Sequence, residues 1–198
     1  MTAMEPERLQ RVLDEIDAFN RRDPHQDILD GKEVARELLY SQRLSAWVLQ
    51  LDPRASDALR IAARGQHIGR WTIPRSAYPM NRPGYLRWRE ELKRFHAQTV
   101  AGLMEKQGCP AELTERVRSI ILKKNLKSDP EVQVLEDALC LLFLETQFED
   151  LRRATMDEKM KDIIRKTWQK MSGPGRAAAL RMDLPSGQKT LIQEALAG

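Results

Sequence analysis

Two groups of basic residues, each ending in a histidine, are the first candidates for chemistry in this chain. The first group is Arg60, Arg64 and His67, and the second is Arg89, Lys93 and His96. Within each group the spacing is i, i+4, i+7, which places the three side chains on one face of an α-helix. Each group therefore predicts a helix face that carries positive charge and an imidazole.

Positive charge is concentrated in the segment that contains both groups. Residues 60–96 hold nine Lys or Arg residues and two Glu residues, a local net charge of +7, whereas the whole chain has a net charge of only +4. Arginine guanidinium groups match the geometry of phosphate oxygens and can bind them in pairs. This segment therefore predicts a binding site for an anion.

An acidic pair, Glu136 and Asp137, begins the most apolar run of the sequence, LEDALCLLFLE. Carboxylates that enter a buried helix are costly unless cations, hydrogen-bond donors or a metal ion meet them. Two interpretations are open. Either carboxylate could form a structural salt bridge to Arg64 or Arg70, or the pair could supply a metal ligand or a general base.

Aromatic residues alternate with basic ones in the irregular segment 69–83. Trp71 and Tyr78 lie there beside Arg70 and Arg75. An exposed aromatic ring can stack on a nucleobase while arginines hold the phosphates. Trp71 and Tyr78 are therefore candidates for contact with the base of a nucleotide.

The elements that must position these residues are all predicted to be helical. Apolar residues recur at three- and four-residue intervals, and no alternating strand pattern is present. Loops or breaks are expected at 22–32, 69–83, 125–130 and at the SGPG sequence of 172–175. The predicted helices are 5–21, 33–51, 58–69, 84–106, 111–124, 131–153, 156–171 and a short helix after Pro185.

Length and composition predict one all-α domain over residues 1–198. A chain of 198 residues with 41% hydrophobic and 31% charged residues can build one full core. The longest apolar run, 138–144, is too short to cross a bilayer, and the N-terminus lacks the apolar segment of a signal peptide. A cytoplasmic protein without a membrane partner is expected.

Four stretches of the sequence resemble an uncharacterised family, domain of unknown function 4202. They are GKEVARELLYSQRLSAWVLQL, LRIAARGQHIGRWTIPRSAYPMNRPGYLRWREELKRFH, LKKNLKSDPEVQVLEDALCLLFLE and IIRKTWQKMSGPGRAAAL. The resemblance covers nearly the whole chain. It implies membership of a family and supplies no activity.

A partial resemblance to HD-domain phosphohydrolases implies more chemistry. In those helical bundles a lone histidine, a His-Asp-Ile-Gly-Lys run and a distant aspartate hold a divalent metal ion that activates water. Residues 66–70, Gln-His-Ile-Gly-Arg, are similar to that run, and Asp137 matches the distant aspartate. Gln66 replaces the histidine, His67 replaces the aspartate, and Tyr40 or Ser41 stands where the lone histidine belongs.

Together these patterns predict an HD-like helical bundle that binds a phosphorylated small molecule or a nucleotide in a basic cleft. Hydrolysis of that ligand is a further expectation. His67 and Asp137 are the catalytic candidates. A divalent metal ion is a candidate cofactor, with His67, His96, Glu136 and Asp137 as its ligands. The candidate ligand-binding residues are Arg64, Gln66, Arg70, Trp71, Arg75, Tyr78 and Lys93. The alternative is a non-catalytic module that binds RNA or a protein through the same basic face.

Overall fold

Helices dominate the computed structural model, which describes residues 4–197. The prediction of an all-α fold is confirmed. The elements in chain order are α1 (Pro6–Asn20), β1 (Gln26–Leu29), β2 (Lys32–Ala35), α2 (Arg36–Leu51), α3 (Asp57–Gly65), α4 (Arg82–Lys106), α5 (Ala111–Ile121), α6 (Pro130–Thr146), α7 (Phe148–Arg153), α8 (Asp157–Lys170), α9 (Gly173–Arg181) and α10 (Ser186–Ala197). Two 3-10 turns, Arg70–Thr72 and Arg75–Ala77, lie between α3 and α4.

A short β-hairpin occupies most of the predicted loop at 22–32 and extends beyond it. Strands β1 and β2 pair antiparallel, with Gln26 opposite Ala35, so that α2 begins at Arg36 instead of residue 33. The hairpin turn is Asp30-Gly31, and both residues have positive φ angles, 51° and 76°. A two-residue turn of this kind favours Asp-Gly. Strands of four residues are too short to show an alternating pattern.

Helix α6 contributes to two clusters of buried apolar side chains. The first core contains Leu135, Ala138 and Leu142 of α6 together with residues of α1 to α5. The second core contains Leu141 and Leu144 of α6 together with residues of α7 to α10. The predicted central position of the apolar run 138–144 is confirmed by this burial, although the single expected core is divided into two clusters.

Several predicted helix ends differ from the observed ones. The predicted helix 131–153 is interrupted at Gln147, where φ is −116°, so α6 and α7 are separate helices. The predicted break at SGPG separates α8 from α9, but the same sequence also begins α9, which was not predicted; there the Ser172 hydroxyl accepts a hydrogen bond from the Gly175 amide at 3.2 Å. Serine before a proline in the first turn is a common helix start. Helix α3 ends at Gly65, four residues earlier than expected.

A glycine of α3 allows α4 to approach closely. A β-carbon added at Gly65 would lie 2.3 Å from Cγ2 of Val100. Since α3 leads into the turn that carries His67 and α4 carries His96, this packing sets the relative position of the two histidines. No helix of the described residues is long and apolar enough to span a membrane.

Candidate functional site

A cavity of about 770 Å³ lies between α2, the turn after α3, α4 and α6. We call it the histidine cavity, because His67 and His96 both line it. Residues at the end of α5 and on α7 and α8 complete its wall. The cavity is therefore bounded by elements that precede α6 in the chain and by elements that follow it.

Six of the predicted site residues line the histidine cavity. They are Gln66, His67, Arg70, Lys93, His96 and Glu136. The end of α3 and the following turn supply the first three, α4 supplies Lys93 and His96, and α6 supplies Glu136. The close packing of α3 on α4 thus brings residues separated by about thirty positions in the chain to one cavity.

The remaining arginines and aromatic residues of the prediction are engaged elsewhere. Arg64 lies 3.6 Å from the Asp17 carboxylate of α1, and the Trp71 ring lies 6.0 Å from that of Phe19. Arg75 donates hydrogen bonds to the carbonyl oxygens of Tyr78 at 3.0 Å and Pro79 at 2.8 Å. None of these side chains, nor that of Tyr78, is among those that line the cavity.

Asp137, predicted as a catalytic residue and a metal ligand, is not among the cavity residues either. Its Oδ1 accepts hydrogen bonds from the Ser172 amide at 2.8 Å and from Gln133 Nε2 at 2.9 Å, and its Oδ2 accepts one from the Ser172 hydroxyl. The buried carboxylate holds the start of α9 against α6. Its environment thus matches the structural interpretation, with hydrogen-bond donors in place of the arginine that the sequence suggested.

Both cavity histidines are neutral at neutral pH. Burial lowers the pKa of His96 to about 3, and burial with the positive charge of Arg70 lowers the pKa of His67 well below its ordinary value of 6.5. The His67 ring stacks on Tyr40, with centroids 4.2 Å apart and planes 8° apart. Tyr40, the position that the resemblance compared with a lone histidine, therefore covers one face of His67.

Glu37 is a cavity residue that the sequence prediction missed. Its Oε2 lies 3.5 Å from His67 Nδ1, its Oε1 lies 3.9 Å from Arg70 Nε, and its side chain is only 9% exposed. Burial raises the pKa of Glu37 from 4.5 to about 7, because the nearby Arg70 offsets only part of the desolvation cost. Glu37 adjoins the buried residues Leu38 and Leu39 of α2, and a lone carboxylate in that position has no distinctive pattern in the sequence.

Lys123 and Glu136 form an ion pair in the wall of the cavity. Lys123 is a second cavity residue that the sequence prediction did not include. The structure places its backbone in the left-handed region, with φ of 56°, and leaves its side chain only 16% exposed. The left-handed turn after α5 directs the ammonium group to Glu136, which explains how that buried carboxylate is tolerated.

Positive charge prevails in the cavity wall. It contains seven Lys or Arg residues and four carboxylates. Within residues 4–197, no carboxylate lies within 4 Å of the cationic groups of Arg43, Arg89 and Lys170. Lys93 is paired only loosely, at 3.7 Å from Glu90. These four side chains, from α2, α4 and α8, are the cations of the cavity that remain available to an anion.

The predicted metal ligands do not form a cluster. Of the four, His67, His96 and Glu136 line the cavity, while Asp137 is bonded to Ser172. Over the described range 4–197, no three His, Cys, Asp or Glu side chains are placed to hold one metal ion together. The rings of His67 and His96 have centroids 5.8 Å apart.

Comparison with known families found one match. A family model described as "Domain of unknown function (DUF4202)" matches residues 10–192, nearly the whole chain. Comparisons with curated proteins and with solved structures found no match.

Proposed function

The chain belongs to the family described as domain of unknown function 4202, and we propose that it binds a phosphorylated small molecule in the histidine cavity. The observation that carries this proposal is the set of unpaired cations in one concave wall. Arg43, Arg89 and Lys170 come from three different helices and line the same cavity. An enclosed excess of positive charge attracts an anion of matching size.

The types of these cations favour a phosphate group. Arginine presents several N–H donors in a planar fork that fits two phosphate oxygens, and lysine adds a compact charge. Arg89 and Lys93 lie one helical turn apart on α4, so their side chains can approach the same group. A cavity of about 770 Å³ has room for the phosphate and for the organic part of a metabolite.

Binding is better supported than hydrolysis. A general base works best when its pKa lies near the operating pH, and the pKa of His67 lies well below 6.5. Asp137, the other catalytic candidate, is occupied by Ser172 and Gln133. The two predicted catalytic residues are thus a weak base and a carboxylate that holds the fold. Glu37, with a pKa of about 7, is the cavity group that meets the criterion for a general base, but no cluster of three His, Cys, Asp or Glu side chains that could hold a catalytic metal ion occurs within residues 4–197.

A thermal-shift experiment tests the proposal with the full chain. Inorganic phosphate, sugar phosphates, nucleoside monophosphates and Mg²⁺ or Mn²⁺ salts are added at constant ionic strength. A ligand that binds only the folded state raises the melting temperature by mass action. We expect at least one phosphorylated compound to do so, and Arg89→Met to weaken its binding about tenfold or more, as loss of a charge-assisted hydrogen bond implies.

Arg87→Met is the matched control, because Arg87 is exposed on the same helix, has the same charge and does not line the cavity. Equal weakening in the two variants would show a general charge effect and contradict the proposed site.

No response to any phosphorylated compound would overturn the proposal. A response to an RNA oligonucleotide alone would favour the nucleic-acid alternative. Release of inorganic phosphate that needs a divalent ion and is lost in His67→Ala would show hydrolysis.

A further inference from the structure

Three buried acceptor atoms in the histidine cavity have no hydrogen-bond partner within the described chain. They are Glu37 Oε2, Gln66 Oε1 and His96 Nε2, and we call them the acceptor cluster. The residues that carry them are 7%, 5% and 2% exposed. Unpaired polar atoms this deeply buried are costly in a folded protein, so their retention in a cavity wall points to a partner that enters the cavity.

Each member of the cluster needs a hydrogen-bond donor. His96 Nδ1 lies 2.7 Å from the carbonyl oxygen of Ile68, which can only accept, so Nδ1 carries the proton. Because the ring is neutral, Nε2 has a free lone pair. The Gln66 carbonyl oxygen can only accept, and so can Glu37 when it is ionised.

Two members of the cluster lie beside His67. Glu37 Oε2 lies 3.5 Å from His67 Nδ1, the His96 ring lies 5.8 Å from the His67 ring, and Gln66 lines the same cavity. Three acceptors in the wall of one cavity can be satisfied together by several donors on one ligand. A ligand with a single donor would leave two of them unpaired.

The residues of the cavity wall favour hydroxyl groups as the ligand donors that pair with the acceptor cluster. An ammonium group would be repelled by the excess of Lys and Arg residues that line the same cavity. A metal ion lacks a suitable cluster of three His, Cys, Asp or Glu side chains within residues 4–197. A hydroxyl group can donate to a carboxylate and can also accept from a protonated carboxyl group, so it suits Glu37 in either state.

We infer that the ligand is a polyhydroxylated phosphate ester, whose sugar hydroxyls donate to Glu37, Gln66 and His96 while its phosphate meets Arg89, Lys93 and the other available cations of the cavity. This inference rests on the proposed function and specifies the non-phosphate part of the ligand. The hydroxyls can belong to a free sugar phosphate or to the ribosyl phosphate of a nucleotide. The acceptor cluster recognises the same group in both.

The test compares ligands that share a phosphate and differ in hydroxyl groups. Ribose 5-phosphate, glucose 6-phosphate and adenosine monophosphate are titrated into the full chain by calorimetry, beside inorganic phosphate and butyl phosphate. We expect at least one hydroxylated ester to bind about tenfold or more tightly than both comparators, since each satisfied acceptor contributes severalfold in affinity. Preference for adenosine monophosphate over ribose 5-phosphate would identify a nucleotide, and the reverse a sugar phosphate.

Two variants separate the cluster from the cations. Gln66→Met removes one acceptor at similar side-chain length and should reduce the preference over butyl phosphate, whereas Lys93→Met should weaken all phosphates alike. If butyl phosphate or inorganic phosphate binds the wild-type chain as tightly as every hydroxylated ester, the inference fails while the proposed function stands. If no phosphate compound binds, the proposed function itself fails. The comparison of ligands on the wild-type chain decides the matter even if Gln66→Met does not fold.

Discussion

At the scale of single residues, Glu37 has the environment with the clearest measurable consequence. Its carboxyl group is buried beside His67 and Arg70, and its pKa is raised from 4.5 to about 7. The folded chain therefore keeps a proton that the unfolded chain loses above pH 4.5. The contribution of Glu37 to the free energy of unfolding is therefore largest below pH 4.5 and is lost as the pH rises through 7.

Glu37→Gln should remove this pH dependence, because glutamine does not titrate. Relative to wild type, the free energy of unfolding of the variant should rise by roughly 3 kcal/mol between pH 4.5 and 7.5, because the pKa of Glu37 is about 7 in the folded chain and 4.5 in the unfolded chain. Urea unfolding of both proteins at several pH values measures this difference. His96 makes an opposite contribution in both proteins, because its low pKa costs stability as the pH falls from 6.5 towards 3. Subtracting the wild-type free energy from that of the variant reduces this shared contribution.

Glu33→Gln is the matched control, since Glu33 is exposed on β2 and its replacement removes the same charge. Over this window its stability relative to wild type should change less with pH than that of Glu37→Gln. A difference between Glu37→Gln and wild type that stays constant from pH 4.5 to 7.5 would contradict a raised pKa at Glu37.

Residue spacing predicted the histidines of the cavity but not their neighbours. His96 lies on α4, as its spacing indicated, whereas His67 lies in the turn after α3 and Gln66 was included through the HD resemblance. Lys123 could not be included, because a positive φ at a lysine redirects its side chain and leaves no pattern in the sequence. Asp137 was grouped with the cavity because it is adjacent to Glu136, yet adjacent residues of a helix point about 100° apart.

At the scale of elements, the contact between α3 and α4 determines how far apart the two histidines lie. Gly65 leaves room for Val100, and its replacement by alanine would create a contact of 2.3 Å with Val100 Cγ2. Gly65→Ala should therefore lower the free energy of unfolding by about 1–3 kcal/mol. Chemical denaturation measures this loss.

The double variant Gly65→Ala, Val100→Ala tests the cause. Removing the two methyl groups of Val100 relieves the clash, so the double variant should be more stable than the sum of the single effects predicts. Gly102→Ala on α4 is the control. No atom lies within 4 Å of an added β-carbon there, and the better helix propensity of alanine should raise stability by about 0.5–1 kcal/mol. Strict additivity in the double variant would exclude the direct contact.

Element types were predictable from the sequence where elements are long, and element ends were not. The helices α1, α4 and α8 follow clear apolar periods. The hairpin was missed because four-residue strands with one semi-buried position each carry too little pattern. Helix α9 was missed because the glycines and proline of SGPG indicated only the end of α8, whereas the hydrogen bond to Ser172 shows that they also start a helix.

At the scale of the whole molecule, α6 joins two apolar cores. Leu142 belongs to the first core and its neighbour Leu141 to the second, and both are fully buried. A helix that both cores need cannot unfold with one of them alone. The chain should therefore unfold in one cooperative transition.

Leu141→Ala and Leu142→Ala form a matched pair that checks this cooperativity. Each should cost about 2–5 kcal/mol, the usual effect of replacing a buried leucine with alanine. Each should also shift the whole thermal transition, followed by far-ultraviolet circular dichroism, without splitting it. Two separate transitions in either variant would show that the cores unfold independently.

The hydrogen bonds of Arg75 have a kinetic consequence. The guanidinium group holds the backbone at Tyr78 and Pro79, so the chain that joins the second 3-10 turn to α4 is fixed by side-chain hydrogen bonds. A fixed connection costs no conformational entropy when a ligand arrives. Association with an anion would then be governed by diffusion and by the field of the cavity cations, and the rate constant would fall as salt screens that field.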